Sequence, residues 1–119
     1  MITYSIANDT VLIVNSKKID FKHNISNIVE VGGLLIVHTF DSIEKKGSIK
    51  MSEQPLNGVF AVDSNGELQW NIKDIIPNDE MYTNISMDDN GDLVLNTFMG
   101  IAQIVDITAK KVVGKSITK

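Results

Sequence analysis

The sequence predicts an all-β protein, an antiparallel meander of short strands, and three observations carry that expectation. Apolar residues rich in Val and Ile fall in short blocks, turn-forming residues separate the blocks, and no window sustains an apolar stripe at helical spacing. In chain order the blocks are ITYSI, TVLIV, KIDF, NIVEV, LLIVHTF, GVFAV, ELQWNI, NISM, DLVLNTF, IAQIVDI and KKVVGKSI. Between them lie Asn8-Asp9, Asn15-Ser16, Gly32-Gly33, Asn65-Gly66 and Asp89-Asn90-Gly91, residue types that tolerate the positive φ angles of tight hairpins. Two segments, 42–46 and 72–76, could make a helical turn but are too short to act as packing elements.

Composition bounds the rest. With 119 residues, 43% hydrophobic and 22% charged, the chain is a globular composition with room for one core, so residues 1–119 are expected to form a single domain. Net charge of −4 opposes a phosphate backbone. All 11 basic residues are Lys, which leaves no guanidinium fork for phosphate or guanine, so nucleic acid is not an expected partner. The absence of Cys removes disulfides, thiolate nucleophiles and cysteine metal sites, and His23 and His38 are the only histidines, so no metal is expected. No basic leader precedes an apolar run at the N-terminus, and the longest apolar run, 34–37, cannot cross a bilayer. The expectation is a cytoplasmic protein with no membrane partner, in which the sequons at Asn24 and Asn84 have no meaning.

Superposing the strands brings out a repeat. VLIVNSKKIDF, VFAVDSNGELQW and AQIVDITAKKVV share an apolar strand ending in Val and then Asn or Asp, a turn and a second strand, with Val14, Val62 and Val105 in register. Upstream, ISNIVEVGGLLIVHTF matches NISMDDNGDLVLNTF through a Gly turn, an apolar strand and a closing Thr-Phe. The unit is therefore four strands: a partial copy at 1–26, and fuller copies at 27–73 and 82–119. Four short antiparallel strands in roughly 40 to 50 residues is the period of a propeller blade, which makes about two and a half blades here. The alternative is a compact β-sandwich or open barrel.

Ala61, Asp63, Gly66 and Trp70 in AVDSNGELQW resemble the blade motif of PQQ-like β-propellers, in which Ala-x-Asp is followed by Thr-Gly and then Trp; WD40-like repeats share the four-stranded plan. The resemblance implies that the Asp and Gly close the outer hairpin and that Trp70 docks onto the next blade. The turn is one residue shorter, with Asn65 in place of Thr, and the other copies have Phe21 and Val113 near the Trp position. The quinone of that family sits in a central site built from many blades, which one full motif cannot enclose, so no cofactor is expected.

Fewer than three blades cannot close a ring, so a homodimer or another protein is expected to cover the open ends. Within the units, SMDDNGDL groups Asp88, Asp89 and Asp92 around a Gly, but without the alternating oxygens and distant acid of a calcium loop. A solvated turn is the better reading. His38 and Asn96 occupy the same place in two copies and so could line a channel, and His38 with Asp41 can be drawn as an acid–base pair. The insertion 41–58 distinguishes the second unit from the third and puts Lys45, Lys46, Lys50 and Met51 forward as partner contacts. Acids at 74–92 and lysines at 110–119 are unevenly spread along the chain. The functional expectation is a non-catalytic protein-binding or scaffolding module completed by self-association. A toxin neutraliser or a phage or mobile-element accessory protein would need no more than its rigid face. The competing class is a ligand binder or enzyme that uses the channel of an assembled propeller.

Overall fold

The computed structural model describes residues 2–41 and 55–117. The first sheet holds β1 (Tyr4–Ala7), β2 (Val11–Val14) and β3 (Lys17–Asp20). The second holds β4 (Ile25–Val31), β5 (Leu34–Thr39), β6 (Val59–Val62) and β7 (Leu68–Asn71), and the third β8 (Tyr82–Met87), β9 (Leu93–Thr97), β10 (Ile101–Asp106) and β11 (Lys111–Ile117). Every pairing is antiparallel between chain neighbours, so each sheet is a meander, and none closes into a barrel. The strand class read from the sequence is thus the observed one. Residues 72–76 yield a single 3-10 turn, Ile72–Asp74, held by a reciprocal capping box between Asn71 and Asp74. Residues 42–46 lie outside the described residues.

Local chemistry sets the turns. Asn15 and Ser16 take φ 51° and 67° between Val14 and Lys17, the two-residue hairpin whose twist suits the flanking strands. Asp63 and Asp88 build the same turn twice. Asp63 Oδ1 accepts the amides of Asn65 and Glu67, both at 2.9 Å, and Asp88 Oδ1 accepts those of Asn90 and Asp92, both at 2.9 Å. Gly66 at φ +82° and Gly91 at φ +80° complete them.

The second and third sheets share one register. Asn27 pairs His38 and Asn84 pairs Asn96, each next to an irregularity after Ile25 or Tyr82. His38 pairs Val59 and Asn96 pairs Ala102. A second irregularity follows in both, after which Trp70 stands opposite Ala61 where Gly114 stands opposite Ile104.

Two apolar layers hold the stack. Leu12, Val14, Leu35, Val37 and Val62 pack between the first and second sheets. Ile36, Ala61 and Trp70 pack against Ile85, Leu93, Leu95 and Val105 between the second and third. Sheet two is therefore covered on both faces, which is why β5 is buried from Leu35 to Thr39 without alternation. β9 alternates, with Leu93, Leu95 and Thr97 buried and Val94 and Asn96 half-buried on the face away from the second sheet. The three valines aligned in the sequence do not play one role. Val62 and Val105 face the preceding sheet, whereas Val14 faces the following one. The first copy therefore departs in register from the other two, and it also has a two-residue turn where β6 is followed by an Asp-anchored five-residue loop.

Candidate functional site

The second sheet presents a polar pair to the third. Asn27 on β4 and His38 on β5 are cross-strand neighbours, and both reach across to the main chain of β8, the edge strand of the third sheet. Asn27 Nδ2 donates to the carbonyl of Ile85 at 2.9 Å, and His38 Nε2 lies 2.6 Å from the carbonyl of Tyr82. A carbonyl only accepts, so Nε2 carries the proton and Nδ1 is the bare nitrogen. Nδ1 has no hydrogen-bond partner among the described residues. Burial pushes the His38 pKa down from its ordinary value, and the bond to Tyr82 only partly opposes this, so the ring is neutral at pH 7. His38 is 0% exposed and stacks on Phe40 with ring centroids 5.9 Å apart.

Asn84 and Asn96 are the counterparts of Asn27 and His38, one sheet further along. They sit on the outer face of the third sheet, Asn84 exposed and Asn96 half-buried. Neither side chain has a hydrogen-bond partner among the described residues; the one bond at this place is from Thr83 Oγ1 to the Asn96 carbonyl, at 3.3 Å. Around them lie Val94, Ala102 and Ile104, with Gly114 where the second sheet has Trp70. The sequence signal for Asn27 and Asn84 was present, an Asn-Ile pair at the same place in both copies, but only His38 and Asn96 stood out as candidates.

The acid–base pair drawn from the sequence does not form. Asp41 Oδ2 lies 2.7 Å from His23 Nδ1, and its other oxygen accepts the Asn24 amide at 2.8 Å, while His38 points between the sheets. Trp70 is 5% exposed within the layer between the second and third sheets, and its Nε1 has no partner among the described residues. Asp88 spends its oxygen on its own turn, and the described residues contain no cluster of three His or acidic side chains fit to hold a metal. Lys45, Lys46, Lys50 and Met51 lie outside the described residues. A shallow cleft lined by Ile2, Thr3, Asn15 and Ser64 presents no titratable side chain. No described helix is long and apolar enough to cross a membrane.

The molecule is thus an all-β protein of stacked antiparallel meander sheets, in which His38, with Asn27, joins the second sheet to the third. The chain belongs to the family described as a domain of unknown function, DUF7957, whose model matches residues 1–116. Comparison with curated proteins and with solved structures found no match.

Proposed function

We propose that the chain is a non-catalytic binding or scaffolding module whose sheets are propeller-like blades completed by self-association. One observation supports this reading above the others: the middle sheet is covered on both faces, whereas the outer face of the third repeats the positions of a covered face and no described sheet lies over it. A stack that adds sheets in one sense has two open ends, and a two-fold assembly closes both with one kind of contact. Half-buried apolar residues on the outward faces of the end sheets, Val11 and Ile13 on β2 and Val94 and Ile104 on β9 and β10, suit surfaces that are covered in the working form.

Catalysis through the polar pair is disfavoured by its geometry. His38 lacks solvent access, and the nitrogen that bears its proton is engaged by a main-chain carbonyl. Light scattering across a concentration series tests the proposal: a stable species of twice the chain mass is expected, and a monodisperse monomer at all concentrations overturns it.

A further inference from the structure

We infer that Asn84 and Asn96 form a docking device on the outer face of the third sheet, and that its occupant is the first sheet of a second copy, led by edge strand β1. The inference rests on the self-association reading and deepens it by naming the surfaces that meet.

The molecule contains its own template for this contact. At the internal joint, an Asn on the first strand and a polar residue on the second strand of one sheet reach the free carbonyls of the next sheet's edge strand. The third sheet repeats the same two positions, in the same register and beside the same irregularity, with Asn84 and Asn96. Both side chains offer an NH2 group, the donor that the template requires, and neither is used within the described residues. Beside them Val94 and Ile104, both half-buried, and Ala102, already buried, take the places of Ile36, Ala61 and Val59, which the internal joint buries. What belongs on this face is therefore a β-sheet with an unpaired leading strand and a modestly apolar surface.

The first sheet of another copy has those features. β1 pairs only with β2, so one side of its main chain is open, as with β8 at the internal joint. The face of that sheet away from the second sheet presents Val11 and Ile13, both half-buried, and no described sheet lies over it. Head-to-tail contact of third sheet on first sheet, made twice, closes a two-fold ring without leaving either end open.

The experiment combines solution mass with a cross-link. The Asn84→Ala/Asn96→Ala double variant removes only unpartnered side chains, so its thermal midpoint should match wild type while its dimer dissociation constant rises about tenfold or more. In a chain without cysteine, Ile13→Cys/Ile104→Cys should oxidise to a covalent dimer, whereas Ile104→Cys alone should not. A wild-type dimer that the asparagine variant leaves unchanged, or one that Ile104→Cys alone cross-links as readily, overturns the docking inference and leaves self-association standing. A monomeric wild type overturns both.

Discussion

The second and third sheets have one backbone plan and two surfaces. Strand order, register and both irregularities coincide, yet the face that bears Trp70, Ile36 and His38 in the second bears Gly114, Val94 and Asn96 in the third. The backbone pattern comes from features that both copies retain, the Asn-Ile start, the Thr-Phe close and apolar alternation, whereas the face is free to follow what covers it. The Trp70 ring is kept where a neighbouring sheet buries it, and that apolar burial offsets the cost of an Nε1 with no partner among the described residues. Small and amide-bearing residues on the third sheet keep an uncovered face compatible with water.

The sharpest way to break this contrast is at its largest side chain. Trp70→Ala empties a site packed from both sheets and should lower stability by about 3–5 kcal/mol in urea unfolding. Val94→Ala, on the opposite kind of face, should cost about 1 kcal/mol or less. Equal effects would mean that the third sheet's outer face is already covered within the chain.

The twin turns give a second contrast. A Cβ on Gly66 would stand 2.5 Å from the Val14 carbonyl oxygen of the first sheet, whereas one on Gly91 meets nothing within 4 Å, and both residues have positive φ. Gly91→Ala should cost about 1 kcal/mol from backbone strain alone. Gly66→Ala adds the clash and should cost at least twice as much. Comparable thermal shifts would show that the first sheet does not press on the second at this turn.

Next come the polar counterparts. His38→Ala strands the buried Tyr82 carbonyl and should cost about 1–3 kcal/mol, whereas Asn96→Ala should stay within about 0.5 kcal/mol in the monomer. The histidine also sets a pH dependence. Its folded pKa lies below its unfolded value of about 6.5, so the unfolded chain takes the proton first on acidification. The His38 contribution is complete above about pH 6.5 and is lost as pH falls from there to the lowered folded value. His38→Gln should flatten that part of the stability profile relative to wild type, and an unchanged slope would show that the ring is not buried neutral.

Much of this was legible in the chain. The eleven apolar blocks are the eleven strands of the described residues, because turn chemistry at Asn15, Gly66 and Gly91 punctuates them without ambiguity. The spacings DSNGE and DDNGD likewise announce one turn made twice. What stayed hidden depends on contacts between sheets. His38 and Asn96 look alike in strand position, and only the carbonyls of Tyr82 and Ile85, far along the chain and without a side-chain signature, separate a joined pair from an open one. Val14 was hidden for a related reason: a one-residue shift of strand register exchanges the two faces of a sheet, and aligned letters do not record it.

The doubly covered middle sheet also orders the molecule in time. Among the described residues each terminal sheet is a local meander packed on that centre, so opening is expected to begin at either end and reach the centre last. Amide exchange would then be slowest in β5 and β6 and fastest in β1 and β3, a gradient running outward from one slab rather than inward from a surface.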